Sequence, residues 1–243
     1  MLKAYSTQLF SLLTALMFVG ASVHPAVGRQ AKPNIIFVLI DDMGFADLSC
    51  YGGKPGLTPH IDSLAAEGVR FTQFYVGAPI CSPSRTAFLT GQSPARWRIT
   101  SFLASRAENE RRGMAQWLDP AAPTISRTFQ EAGYATGHFG KWHLGGQRDV
   151  GDAPLITEYG FDESVTNFEG LGERILPLRD AFDGNPPKKY SLGSDKLGRG
   201  EIVWMDRSKN TEGFVTRTMD FIRKAEKESK PFYLNLWLDD VHS

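Results

Sequence analysis

Residues 34–40 (Asn-Ile-Ile-Phe-Val-Leu-Ile) form a nearly unbroken apolar run that stops on two carboxylates, Asp41 and Asp42. The run lacks the polar–apolar alternation of a half-solvated strand and is shorter than a typical helix. It predicts a strand covered on both faces, as in a parallel sheet packed between helices. Thr58-Pro59 then opens a helix, with Thr58 as N-cap, Pro59 at the first helical position, an apolar stripe of Ile61, Leu64 and Ala65, and Gly68 at its end. Val69 to Val76 reads as a second strand, and Cys81-Ser82-Pro83 begins a helix that runs through Leu89 and stops at Gly91.

Farther along, five arginines (Arg96, Arg98, Arg106, Arg111, Arg112) make residues 92–123 basic and predict a surface excursion. Thr124 caps a helix carrying Ile125, Phe129 and Ala132, a short strand follows near Tyr134 to Phe139, and Lys141-Trp142-His143 comes directly after it. Residues 144–210 are rich in Gly, Pro and Asp and read as loops and small elements over the sheet. Phe214, Val215, Thr218, Met219, Ile222 and Ala225 trace a helical stripe, Lys230-Pro231 breaks it, and Phe232 to Leu238 is a last strand. This alternation predicts a layered α/β sandwich with a largely parallel central sheet flanked by helices.

The start of the chain has a different character. Lys3 precedes a short apolar stretch, Leu9 to Gly20, and Ala26-Val27-Gly28 supplies small residues for cleavage. Residues 1–28 therefore read as a secretory signal, which predicts export to a periplasm or the outside, and no later segment is apolar enough for a membrane span. The 27 basic and 27 acidic residues balance, which argues against nucleic acid or an acidic membrane surface as partner. An exported chain could join its two cysteines, Cys50 and Cys81, in a disulfide, or keep one of them for chemistry.

Asp41-Asp42, Lys141 to His143 and Asp239 to His242 each follow a predicted strand, so all three polar clusters should meet at the carboxyl rim where open α/β sheets bind ligands. Near them stands Cys81-Ser82-Pro83-Ser84-Arg85 with Leu89-Thr90-Gly91 after it. Together with Asn34 to Gly44, Asp47-Leu48, Cys50-Tyr51-Gly52, Pro59 to Ala66, Gly68 to Tyr75 and Gly140 to Gly145, this motif resembles the type I sulfatases of the alkaline phosphatase superfamily, such as the arylsulfatases and N-acetylgalactosamine-6-sulfatases. The likeness runs from Pro33 to the end and is weakest between 146 and 210.

The resemblance implies an alkaline-phosphatase-like fold and hydrolysis of sulfate monoesters, plausible substrates being a sulfated small molecule or glycan. It implies that Cys81 is converted to Cα-formylglycine by a formylglycine-generating or sulfatase-maturating enzyme. Asp41, Asp42 and the modified Cys81 would be ligands of Ca²⁺, or of Mg²⁺, hard cations that take oxygen donors. Arg85 and Lys141 would brace the nucleophile and the sulfate, His143 would assist sulfate release, and His242 would protonate the leaving oxygen. Read without the motif, Asp41-Asp42 is a solvated turn or helix cap, Arg85 a surface arginine and His242 an ordinary loop histidine. Asp239 and Asp240 read as surface or supporting groups, and His60, His138 and Cys50 as structural.

Type I sulfatases also use a downstream Asp-Asn ligand pair, a further sulfate-binding lysine and a small C-terminal domain, none of which can be placed here. Residues 29–243 are thus expected to form the N-terminal part of a catalytic domain with an incomplete sheet, and this piece alone to bind metal poorly and turn over little. A phosphonate or phosphate ester hydrolase of the same superfamily and an inactive glycan-binding member are the competing readings.

Overall fold

The computed structural model describes residues 32–243 apart from 168, 180–183, 241 and 243. The signal predicted at residues 1–28 lies outside the described residues. Among them, strands β1 (Ile35–Ile40), β2 (Ala135–Gly140), β3 (Glu163–Thr166), β4 (Glu173–Arg179), β5 (Lys188–Lys189), β6 (Ile202–Asp206) and β7 (Phe232–Leu238) make one sheet. Its order is β1-β7-β2-β3-β4-β5, with β6 also paired to β4. Every pairing is parallel except β4 with β5. The helices are α1 (Pro59–Glu67), α2 (Cys81–Thr90), α3 (Arg106–Arg111), α4 (Ile125–Glu131) and α5 (Asn210–Lys227). The layered, largely parallel α/β architecture is as expected. No helix among the described residues is long and apolar enough to cross a membrane.

Two cores lie against this sheet. One gathers Leu89, Ile99, Leu118, Trp142, Tyr159 and Phe161. The other sets Phe139, Val165, Ile175, Phe232 and Leu234 against α5. The buried stripe of α5 is Phe214, Thr218, Phe221 and Ala225, whereas Val215 and Met219, read as part of that stripe, are exposed. Spacings of four, three and four residues keep one face of a helix turned to the sheet, and Phe221 fits that face better.

Four expectations need correction. The strand covered on both faces is β7, not β1: among the described residues β1 pairs with β7 alone, and its Ile36 and Val38 are half exposed. Val69 to Val76 is not a strand. Among the described residues none of its backbone groups bonds to another backbone group, and a strand exists only through such pairing. Residues 144–210 are not an overlay on the sheet but its continuation, since β3, β4, β5 and β6 lie within them. Finally, residues 92–123 are no surface excursion. Ile99, Leu103, Leu118 and Ala122 are buried, with the arginines on the outside.

Candidate active site

Parallel pairing aligns the ends of β1, β7 and β2. Asp41 N–H donates to Leu238 O (2.9 Å) and Lys141 N–H to Trp237 O (2.8 Å), so Asp41, Asp239 and Lys141 emerge side by side at one rim. Gly140 makes the turn into Lys141 possible. Its φ is +109°, and a Cβ there would lie 1.9 Å from Trp237 O. Asp42 and His143 are also in the left-handed region, at φ 60° and 54°. That conformation is uncommon outside glycine and concentrates at functional sites. A turned backbone, rather than strand alternation, brings Lys141 and His143 to one cavity.

Cys81 is the first residue of α2, where backbone N–H groups are unpaired and the helix dipole favours an anion. Its Sγ lies 3.8 Å from Asp41 Oδ2 and 3.6 Å from Lys141 Nζ. Lys141 Nζ is 2.5 Å from the same Asp41 oxygen. One helical turn on, Arg85 is buried, donates to Lys141 O (2.8 Å), sits 3.3 Å from Asp41 Oδ1 and lies over the Trp237 ring at 5.0 Å. Cys81 and Cys50 are both free thiols.

Electrostatics follow from this crowding. Burial pushes the Asp41 carboxyl up, but Arg85 and Lys141 outweigh it and hold it below the usual range. Burial pulls Lys141 down, and Glu169 and Asp41 more than restore it, so it stays cationic. Burial raises the Cys81 thiol, with Lys141 opposing only in part. A thiol held protonated is a poor nucleophile, which separates this site from those of cysteine hydrolases.

His143 is buried and driven toward its neutral form by desolvation, with Glu169 opposing. Its Nε2 lies 2.8 Å from Leu103 O. A carbonyl can only accept, so the ring proton sits on Nε2 and Nδ1 presents a lone pair; among the described residues no group bonds that Nδ1. Leu103 N–H in turn donates to Ser82 Oγ (3.0 Å), and Gln147 Nε2 donates to Ala104 O (3.1 Å). The 92–123 segment is thereby tied into the site as one of its walls.

Behind β7, Asp239 accepts from Asn167 Nδ2 (2.7 Å) and pairs with Arg207 (3.3 Å). It is buried rather than a surface group, and burial raises its carboxyl. Asp240, by contrast, is exposed. Arg207 also donates to the Asp239 and His242 carbonyls, fixing the turn that carries His242. His242 Nε2 lies 3.8 Å from Asp42 Oδ2.

Cys81 stands between two hollows. The larger, about 360 Å³, is lined by Cys81, Lys141, His143, Glu169, Asp239 and His242 among others. The smaller, about 250 Å³, is lined by Asp41, Asp42, Cys81, Ser84 and Arg85. Asp41, Cys81 and His242 bring potential ligand atoms within 4.8 Å of one another, while Asp42 reaches His242 but stands outside that group. Two carboxylates at one strand end fit a hard cation in kind, although the described residues supply fewer oxygens than the roughly six to eight that Ca²⁺ takes. Glu169, Asn167, Gln147 and Arg207 were not singled out in the sequence. Gln147, Asn167 and Glu169 lie in or near Gly-containing stretches and Arg207 in the polar run Asp206 to Asn210, none of which carries a periodic signal.

The family model described as Sulfatase matches residues 33–243. The chain belongs to the sulfatase family. Within that family it is 40% identical to the steryl-sulfatase of Mus musculus over 69% of its own length and 26% of that protein's. To the N-acetylgalactosamine-6-sulfatase of Rattus norvegicus it is 32% identical over its whole length and 46% of that relative. Its fold resembles a solved sulfatase-family structure, Ps i-CgsB in complex with a neocarrahexaose, with TM-score 0.66, 29% identity, 87% of this chain and 46% of that one. The sulfatase-family chain thus spans about a quarter to a half of the length of these proteins.

Proposed function

We propose that this protein hydrolyses sulfate monoesters at position 81, after its cysteine is oxidised to formylglycine. The supporting observation is the placing of Cys81 at a helix start, between Lys141 and Asp41, with Arg85 behind them, at the wall shared by two hollows. Asp41 and Asp42, with the modified residue 81, would hold Ca²⁺ or Mg²⁺. A bound cation of that kind would withdraw charge from sulfate oxygens and orient the nucleophile. A hydrated formylglycine supplies two hydroxyls on one carbon, one to attack sulfur and one whose deprotonation lets sulfate leave.

The chain's own residues do the remaining work. A sulfate ester repels nucleophiles through its negative oxygens; Lys141 at the nucleophile and the α2 N-terminus offset that charge in a site that burial shields from water. Arg85 bonds the Lys141 carbonyl and faces Asp41, so both stay aimed at residue 81. His143, neutral with Nδ1 free, takes a proton from the group at 81 during sulfate release. His242, at the cavity edge, gives a proton to the departing alcohol oxygen as the S–O bond breaks. Export through a leader in residues 1–28, activation by a formylglycine-generating or sulfatase-maturating enzyme, and the place of residues 29–243 as the N-terminal part of the catalytic domain belong to the same proposal.

To test it, the chain and the longest reading frame that contains it are co-expressed with a formylglycine-generating enzyme. The peptide spanning Cys81 should be about 18 Da lighter, the difference between –CH₂SH and –CHO. Aryl sulfate should be cleaved in preference to aryl phosphate, and Cys81→Ala should abolish turnover. Undiminished sulfate hydrolysis by Cys81→Ala would sink the mechanism, and preferential cleavage of the phosphate would move the protein to the ester class of its superfamily relatives.

A further inference from the structure

The larger hollow holds more positive charge than one sulfate can use. Four permanent cations line it: Lys141, Arg148, Arg179 and Arg207. Lys141 is paired with Asp41 and points at residue 81, and Arg207 is paired with Asp239. Arg148 and Arg179 form no ion pair among the described residues; Glu169, the other carboxylate of the lining, stands 3.8 Å from His143 Nε2. The Arg148 side chain has no hydrogen-bond or ion-pair partner there, and it extends from a backbone held at φ 54°. The Arg179 guanidinium lies over Tyr190, 3.5 Å from the ring centroid, and stacking of this kind leaves the N–H edge of a guanidinium able to donate. Both arginines are exposed, while the groups at residue 81 are buried.

We infer that the cavity selects an acidic sugar sulfate: a saccharide bearing, beside the sulfate held at residue 81, a second anionic group that Arg148 and Arg179 bind. The volume, about 360 Å³, exceeds what a sulfate needs and lies near the lower end for ligands of one or two rings. Tyr190 and Leu192 on the same wall offer apolar surface to the carbon face of a sugar ring. A sterol sulfate brings one charge and a rigid apolar body. It would strip water from two arginines without giving either a partner, an unfavourable exchange. A carboxylate or a second sulfate presents the oxygens that a guanidinium fork accepts two at a time. The inference rests on the sulfate-ester reading only for where the first sulfate sits.

Binding is measured calorimetrically on the chain with an unmodified thiol at 81, so that turnover plays no part. The probes are 6-sulfated N-acetylgalactosamine linked to glucuronate, the same disaccharide as its carboxyl methyl ester, N-acetylgalactosamine 4,6-disulfate and estrone sulfate. The acidic disaccharide should bind about tenfold tighter than its ester, a preference that shrinks as salt rises. Arg148→Gln with Arg179→Gln should bring that ratio to about one, and Arg148→Lys with Arg179→Lys should retain most of it, which separates lost charge from lost fold. The disulfate assigns the second anion: tighter binding than the uronate identifies sulfate, weaker binding identifies carboxylate. Equal affinity for disaccharide and ester, a preference that survives the glutamine pair, or estrone sulfate bound as tightly as the acid overturns the inference. Preference for the acidic sugar in a chain that hydrolyses no sulfate would leave this inference standing and defeat the hydrolase reading alone.

Discussion

Residues 36–80 are richer in apolar residues than residues 97–178, yet the two stretches differ in what their apolar side chains meet. In the later region Ile99, Leu103, Leu118, Trp142, Leu144 and Tyr159 are fully buried. In the earlier one Leu64 is 71% exposed, Phe74 71% and Tyr75 79%, and Ile36 and Val38 lie on an uncovered face of β1. Helix α1 nevertheless forms there where its signals place it, from Pro59 to Glu67. Local signals suffice to make a helix, but burying its stripe requires a broad partner surface, and the turn at residues 49–51 that it meets leaves Ile61 and Ala65 half-buried and Leu64 exposed. Contiguous apolar surface of this kind is characteristic of interfaces. The site lies on the seam between the two regions, with Asp41 from the first, Lys141 from the second, and Cys81 and Arg85 from α2, which joins them.

Hydrogen exchange gives the harshest test of this contrast. Amides of residues 69–76, without backbone partners, should exchange at least about 10⁴-fold faster than those of β7, whose opening needs much of the global unfolding free energy. Equal protection would mean that the first region is paired in solution and would dissolve the comparison. Truncation sharpens it next. Trp142→Ala should cost about 3–5 kcal/mol, and Phe74→Ala or Leu64→Ala no more than about 0.5 kcal/mol, by urea midpoints at constant m-value. At the seam, Arg85→Ala leaves Asp41 buried with one cation instead of two and should cost about 3 kcal/mol; a value near zero would mean that water already screens the pair.

The last test is read from pH. His138, buried between Trp142, Trp237 and Phe161, is lowered to about 3 by burial, with Arg85 adding to it, and His143 is lowered too. Below the ordinary value of 6.5 the unfolded chain binds protons that the folded chain refuses, so stability must fall as pH drops from 6.5 toward 3. The slope is at most about 1.4 kcal/mol per pH unit for each histidine. Asp41, lowered in the fold, adds a loss only below its ordinary 3.8. His138→Phe should flatten the first slope. An unchanged slope would show that the later region is not the dry one.

Much of this architecture was legible residue by residue. β7 occupies Phe232–Leu238 as read, and α2 begins at Cys81 and is capped by Gly91. Apolar runs, caps and breakers act within a few residues of themselves, so a single chain displays them. The 69–76 segment has the composition of a strand, but pairing is a relation between segments, and composition cannot show that the second edge is missing. Strands β3 and β6 escaped notice for the converse reason. Four or five residues are too few to show a period, and pairing with parallel neighbours makes them strands. In the site, Cys81, Arg85, Lys141 and His143 were legible because two short motifs carry them, whereas Glu169 and Arg207 act from isolated positions.

By itself the sequence determined which segments could be helix or strand, and which side chains stand at the ends of strands. Those properties depend on neighbours one to four residues away, whose geometry the covalent chain already sets. Only the tertiary structure decided that β1 lies at an edge, that the arginine-rich stretch walls the cavity through Leu103, and that Arg148 and Arg179 share a hollow with residue 81. Each of these depends on residues dozens of positions apart being brought within a few ångströms, and such proximity is a property of packing, which no local pattern encodes.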